Sequence, residues 1–197
     1  MRNEKTDIRT LTVAIAMAFG CLTLLAPAGA RAAGVGLEVG IAGSFLGGQD
    51  FDPLEDAARF EVLGSVMVPS SWEVGLGTSV ASHGFERSSG DADITNVFGE
   101  VRYRFGYPAA ATPHLHPFVA GRAGYARLAA DEGFVDSSRN GFLVGGGGGV
   151  EYWFTNKVAA VGTAMLNYVR FGEGERADSQ SLSGTLTDLR AGMKVRF

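Results

Sequence analysis

Leu189-Arg190-Ala191-Gly192-Met193-Lys194-Val195-Arg196-Phe197 closes the chain. Its odd positions are apolar, and its even positions are Arg, Gly, Lys and Arg. A period of two belongs to a β-strand, whose successive side chains point to opposite faces. This strand therefore carries one apolar face and one small or charged face.

The same alternation recurs upstream. From Val35, the residues Val35, Leu37, Val39, Ile41 and Phe45 alternate with Gly36, Glu38, Gly40, Ala42 and Ser44. Phe60, Val62, Val66 and Val68 alternate with Glu61, Leu63, Ser65 and Met67. Trp72, Val74, Leu76 and Val80 face away from Glu73, Gly75, Gly77, Ser79 and Ala81. Val97, Val101, Tyr103 and Phe105 oppose Phe98, Glu100, Arg102 and Arg104, and Val119, Ala123 and Tyr125 oppose Ala120, Arg122 and Gly124. Phe142, Val144, Val150 and Tyr152 alternate with Gly145, Gly147, Gly149, Glu151 and Trp153. The stretch from Val158 to Tyr168 alternates weakly; Val158, Leu166 and Tyr168 are placed on one face, Thr163 and Asn167 on the other. Eight strands are thus expected over about 35–46, 58–68, 72–82, 94–105, 115–127, 140–153, 157–169 and 182–197, lengths that suit tilted transmembrane strands of ~9–11 residues or more. The chain holds 29 glycines in 197 residues, about twice the usual ~7%. Such an excess disfavours long helices.

The connections alternate as well. Pro69-Ser70-Ser71 and Thr155-Asn156 are short, and 106–114 is intermediate. The segments 47–57, 83–93, 128–139 and 170–181 are longer and polar. Short turns at one end and long loops at the other fit an antiparallel up-and-down transmembrane barrel of eight strands, an all-β fold with both termini at the short-turn end.

A soluble β-sandwich also alternates. The difference lies in the non-apolar face, which is rich in Gly, Ala and Ser and balanced in charge. It carries six acids, Glu38, Glu61, Glu73, Glu100, Glu151 and Asp188, and six bases, Arg102, Arg104, Arg122, Arg190, Lys194 and Arg196. A solvated face needs neither small residues nor balance, whereas the narrow lumen of an eight-stranded barrel needs both. An ion-pair network among Glu38, Glu73, Glu100, Arg102, Arg104, Arg122, Glu151, Arg190 and Lys194 is expected to close that lumen. Aromatics gather at strand ends. Trp72, Tyr103, Phe105, Tyr107, Tyr152, Phe154 and Phe197 lie beside the short turns, and Phe45, Phe60, Tyr125, Phe142, Tyr168 and Phe171 beside the long loops. Two such girdles mark bilayer interfaces.

The N-terminus supplies an address. Arg2, Lys5 and Arg9 precede an apolar run from Leu11 to Leu25, followed by Ala26-Pro27-Ala28-Gly29-Ala30-Arg31-Ala32. This is a signal peptide over 1–32, with Ala30-x-Ala32 as its cleavage motif, a cut after Ala30 as the second choice, and a barrel domain over 33–197. The apolar run falls short of the ~20 residues of a spanning helix. The single cysteine, Cys21, belongs to that run, so the mature chain has none. Removing 1–32 takes four basic and two acidic residues from totals of 17 and 21, leaving 13 against 19 and a net charge of −6. A broad affinity for nucleic acid is not expected of such a chain.

A terminal Phe closing an alternating strand, behind a signal peptide, resembles the assembly signal of bacterial outer-membrane proteins. Leu189, Ala191, Met193, Val195 and Phe197 carry it. His116-Pro-Phe-Val-Ala-Gly-Arg-Ala-Gly-Tyr125 and Gly145-Gly-Gly-Gly-Gly-Val-Glu-Tyr152 resemble the aromatic-rich and glycine-rich strands of the OmpA-transmembrane-domain and OmpX group of small outer-membrane barrels. The resemblance covers the whole mature chain. It implies residence in the outer membrane of a Gram-negative bacterium, contact with outer-membrane lipid, and recognition of the last strand by the barrel-assembly machinery. The group includes adhesins, defence proteins and plain structural barrels, so the resemblance fixes architecture and not activity.

Chemistry-bearing motifs are sparse. His114 and His116 form a His-x-His pair in a proline-rich turn, with no third metal ligand nearby. Ser82, His83 and Glu86 include the residue types of the Ser-His-Glu set of outer-membrane lipid A deacylases, but the His-x-Ser pairing of those enzymes is missing. Gly145 to Gly149 lack the lysine and helix of a phosphate loop; they read as a strand beside a bulky lumen residue, with Trp153 or Arg122 as the filler. The long loops hold thirteen acids, among them Asp50, Asp52, Glu55 and Asp56, against Arg87, Arg139, Arg170 and Arg176. The stretch 50–56 has oxygens for weak Ca²⁺ binding without the spacing of an EF-hand. The reading is therefore a non-enzymatic structural or surface-interaction barrel, with no cofactor and a surface ligand at its acidic loops. A small porin-like channel and a lipid-modifying enzyme stand as alternatives.

Overall fold

The computed structural model describes residues 34–48, 51, 54–68, 71–85, 91–105, 115–131, 136–172 and 181–197. The signal segment, Cys21, Tyr107, His114, Asp50, Asp52 and Glu86 lie outside the described residues. Eight strands follow one another: β1 (Gly34–Gly47), β2 (Ala57–Met67), β3 (Trp72–Gly84), β4 (Asp91–Arg104), β5 (Leu115–Asp131), β6 (Asp136–Trp153), β7 (Val158–Phe171) and β8 (Leu182–Arg196). Each pairs with its sequence neighbours, and β1 pairs antiparallel with β8, so the sheet closes as β1-β2-β3-β4-β5-β6-β7-β8. Closure removes every unpaired edge. A closed antiparallel barrel of eight strands is the fold that the alternation foretells.

Short turns join β2 to β3 and β6 to β7. Ser71, in the first, has φ of 76°, a left-handed conformation that lets Val68 N–H reach the Trp72 carbonyl at 2.9 Å. In the second, Thr155 Oγ1 accepts from the backbone N–H groups of Lys157 and Val158, both at 3.1 Å. At the loop end the strands outrun the expected spans. β3 continues to Gly84, β4 starts at Asp91, and β5 and β6 stay paired out to Asp131 and Asp136.

The outer face is apolar. Ile41 is 68% exposed, and Val74, Val97, Val119, Val144, Leu166 and Leu189 are likewise open to the surroundings. On β7, Leu166 and Tyr168 face out and Thr163 and Asn167 face in, as the weak alternation indicates. Trp72, Tyr103 and Phe105 stack edge to face at the short-turn end, with ring centroids 5.0 and 5.3 Å apart, and Tyr152 and Phe154 do the same at 5.2 Å. The opposite girdle needs one correction. Phe171 does not face outward: it is fully buried inside the barrel, because the odd positions of β7 point inward and 171 keeps that phase.

Candidate functional site: the barrel lumen

Inward positions of all eight strands meet along the barrel axis, where ionic, polar and apolar layers interleave, the ionic one nearer the short-turn end and the apolar one reaching the loop end.

The first layer is ionic. Cross-strand register sets it up: Glu73 lies opposite Arg102, Glu100 opposite Arg122, and Glu38 opposite Lys194. The side chains then reach across the lumen to strands that are not neighbours. Lys194 Nζ donates to both oxygens of Glu73 and to Glu151 Oε1, each at 2.7 Å. Arg104 pairs with Glu73 at 3.1 Å and points its other Nη at Met67 Sδ, 3.4 Å away. Arg102 donates two bonds to Glu38, at 2.7 and 3.2 Å, and its Nε to Glu100 at 2.6 Å. Arg122 grips Glu61 bidentately at 3.0 and 3.1 Å and also bonds Glu100. Arg190 pairs with Glu38 at 2.7 Å and with Glu61, and it donates to Thr163 Oγ1 at 3.1 Å. Arg59 links Glu61 and Asp188, both at 2.9 Å.

These contacts form one connected network of six carboxylates (Glu38, Glu61, Glu73, Glu100, Glu151, Asp188) and six cations (Arg59, Arg102, Arg104, Arg122, Arg190, Lys194). All twelve are buried; Lys194 and Glu151 are wholly inaccessible. A buried charge is tolerable only when paired and hydrogen-bonded. Here each cation except Arg104 makes close contact with at least two acids, and Arg104 adds a looser 3.9 Å contact with Glu151. Aromatic faces finish the job: Arg122 lies 4.1 Å from the centre of the Phe98 ring and Arg102 4.8 Å from that of Phe118.

The nine residues expected to pair across the lumen all lie in this network. Arg59 was not among the six bases read from the sequence, yet the alternation that puts Glu61 inside, run one step back, reaches it. Arg196 departs from the set: it is half-buried at the lower rim, its guanidinium 4.2 Å from the Trp153 ring. Trp153 itself donates to Glu151 Oε2 at 3.2 Å. Neither Trp153 nor Arg122 fills the space beside the glycine run. A Cβ on Gly149 would sit 2.8 Å from Phe118 Cζ, and one on Gly147 2.8 Å from Met165 Sδ, so Phe118 and Met165 are the fillers, with Asn167 beside Gly145.

The second layer is polar. Asn96 donates to Ser79 Oγ at 3.1 Å, and Asn167 to Asp188 Oδ2 at 2.7 Å. The third is apolar and absent from the sequence reading. Ile94, Leu128, Leu143, Val169, Phe171 and Leu186 form a plug at the loop end, continuous with Leu63 and Phe98 beside the ionic layer. Phe51 enters it from the β1–β2 connection, its ring edge-on to Phe171 with centroids 6.2 Å apart. The segment read as a polar loop thus supplies a core residue, and it is tied down further by the Leu54–Phe85 bridge and by Glu55 N–H on the Gly84 carbonyl at 2.8 Å.

The remaining motifs do not assemble. His83 does not open a loop: it lies inside the barrel on β3 and donates Nδ1–H to the Glu55 carbonyl at 2.9 Å, while Ser82 faces out on the opposite side of the strand. His116 sits half-buried on β5. Glu55 and Asp56 are exposed. Among the described residues, no three His, Cys, Asp or Glu side chains are grouped to hold a metal ion. The assembly-signal residues Leu189, Ala191, Met193, Val195 and Phe197 form the outward face of β8, and Phe197 N–H bonds the Val35 carbonyl at 2.9 Å.

No family model and no curated protein sequence matches the chain. Solved structures do match its shape. Neisserial surface protein A, NspA, superposes with a TM-score of 0.65 at 16% identity, over 83% of this chain and 97% of that one. Ail, the attachment invasion locus protein of Yersinia pestis, gives 0.53 at 16% identity, over 83% and 98%. The outer membrane protein OprG of Pseudomonas aeruginosa gives 0.50 at 11% identity, over 85% and 98%. At such identities the likeness speaks for the fold alone. The closed ring of eight antiparallel strands, apolar outside and filled within, is the fold of the small eight-stranded outer-membrane β-barrels.

Proposed function

We propose that the chain is an exported outer-membrane protein of structural and surface-interaction type: a sealed barrel that holds acidic loops at the cell surface. The observation that carries this reading is the filled lumen, in which twelve charges neutralise one another beneath a plug closed by Phe51. An apolar belt bounded by aromatic rings suits the bilayer, and an eight-stranded barrel has room inside for side chains only. The reading includes a signal peptide over residues 1–32, recognition of Leu189, Ala191, Met193, Val195 and Phe197 by the barrel-assembly machinery, a surface ligand at the loops, and no enzymatic activity. Ail has been crystallised with the heparin analogue sucrose octasulfate; the loops of the present chain, rich in Asp and Glu, suit a neutral or cationic partner instead. Refolded protein in a planar bilayer tests the sealed barrel against the channel. No conductance steps are expected above the lipid baseline, and sustained open-channel steps from the wild type would overturn the reading.

A further inference from the structure

We propose that His83 is a pH-sensitive latch. While its imidazole is neutral it fastens the β1–β2 connection across the loop end of the barrel, and a second ring proton, gained on acidification, releases that strap.

The strap is attached at two places. It leaves β1 through Gly48, whose φ of 118° is a conformation that L side chains rarely adopt, and turns inward there. Phe51 N–H bonds the Gly48 carbonyl and Leu54 N–H the Phe51 carbonyl, each at 2.9 Å. The Phe51 ring lies against Gly184, where an added Cβ would come within 2.6 Å of it. On the far side the strap joins the end of β3 through the Leu54–Phe85 bridge and Glu55 N–H on the Gly84 carbonyl at 2.8 Å. His83 completes this second attachment. The Glu55 carbonyl only accepts, so Nδ1 carries the ring proton and donates it at 2.9 Å. Glu55 is thus held by β3 at both its N–H and its carbonyl.

The other ring nitrogen sets the sign. In this tautomer Nε2 is an acceptor, and it has no hydrogen-bond partner in a side chain that is 0% exposed. Ala92, opposite His83 on β4, belongs to the apolar plug. An unpaired lone pair costs little there. A proton on Nε2 costs more, because it places a charge and an unmet donor in apolar surroundings. Charged groups approach from each neighbouring element: Arg59 from β2, Asp91 and Asp93 from β4, Glu55 and Asp56 from the strap, and Arg139 from the rim of β6. His83 stands three residues beyond Val80, which pairs with Phe60 of the loop-end girdle, and so lies beyond the belt of rings. Burial holds its imidazole below the ordinary value of 6.5; Arg59 acts in the same sense, and the bond to Glu55 and the charges of Asp56 and Asp93 offset these only in part. In the released strap the ring is hydrated and takes its ordinary value. Closure is therefore favoured in full above about pH 6.5 and loses that favour as pH falls toward the lower value of the latched ring. Each pH unit in that window raises the open population by up to about tenfold. The strap carries Asp50, Asp52, Glu55 and Asp56, so its release changes how these acids meet a surface ligand. That consequence, and not the latch, rests on the outer-membrane reading.

Hydrogen exchange on the refolded barrel reads the latch alone. Protection of the Phe51, Leu54 and Glu55 amides, corrected for the intrinsic pH dependence of exchange, is expected to fall about tenfold between about pH 7.5 and about pH 5 in the wild type. The Phe197 amide, bonded to Val35 at the opposite end, is expected to hold its protection throughout. H83N keeps a donor near the Nδ1 position and has no proton to gain, so its strap amides should stay protected across the range. H83F, with no donor, should show weak protection at every pH and no slope. Wild-type protection that is flat with pH overturns the proposal, as does a wild-type slope that persists in H83N. Should H83N fail to refold, the same slope in H83F overturns it equally.

Discussion

Glu61 is the residue on which the ionic layer converges. Its two oxygens serve Arg59, Arg122 and Arg190, which arrive from its own strand, from β5 and from β8. Truncating it strands three cations in a buried interior, and breaking a buried pair costs ~3–5 kcal/mol. Glu61→Ala should therefore lower the urea midpoint of the refolded barrel by an amount equivalent to at least ~3 kcal/mol. The exposed Glu55→Ala should stay within about 0.5 kcal/mol of wild type. The glycine run makes a second prediction at this scale. Gly149 faces inward, and its added Cβ would press on Phe118 and on Thr163 Cα at 3.0 Å. Gly146 faces outward, its nearest neighbour an ordinary 3.5 Å away. Gly149→Val should then destabilise by ~1–3 kcal/mol or more, and Gly146→Ala should leave the same unfolding curve nearly unchanged. Alternation revealed the inward phase of these positions, but not which bulky side chain fills the gap. Phe118 comes from β5 and Met165 from β7, and period-two reasoning within one strand does not see across the sheet.

At the scale of whole elements, β8 closes the ring, pairing with β7 on one side and with β1 on the other. Its last residue holds the Val35 carbonyl and exposes its ring at the short-turn rim. Phe197→Ala is expected to reduce the amount of heat-modifiable barrel recovered from the envelope; normal recovery would remove the terminal ring from any role in assembly. The β1–β2 connection behaves as a folded element in its own right, pinned by Phe51 and Leu54. Phe51→Ala removes its anchor from the plug, and burial losses of this kind run to ~3–5 kcal/mol. The expected sign is faster proteolytic cleavage within 47–57, with the strands intact. This element was not legible in advance for a physical reason. Toward the loop end apolar side chains stand on both faces, as Leu63 and Phe171 inside against Phe60 and Leu166 outside, so apolarity alone assigns no side to the lumen. Near the turn end, charges supply the contrast, and there the faces could be read.

Taken as one molecule, the barrel is a sheath with a neutralised interior. Protein purified from the envelope should begin at Ala33, with a mass showing loss of residues 1–32; a retained Met1 would refute export by cleavage. The ionic layer has a further consequence, for the order in which the barrel comes together. Most of its ion pairs join strands that are not consecutive in the chain. Glu38 of β1 answers Arg102 of β4, Glu61 of β2 answers Arg122 of β5, and Glu73 of β3 answers Lys194 of β8. An early intermediate of two or three strands therefore exposes carboxylates and guanidinium groups whose partners have not arrived, and those groups must keep their hydration. The last partners arrive only when β8 meets β1. Ring closure, rather than the pairing of any single hairpin, is therefore the step at which the ionic layer becomes fully paired.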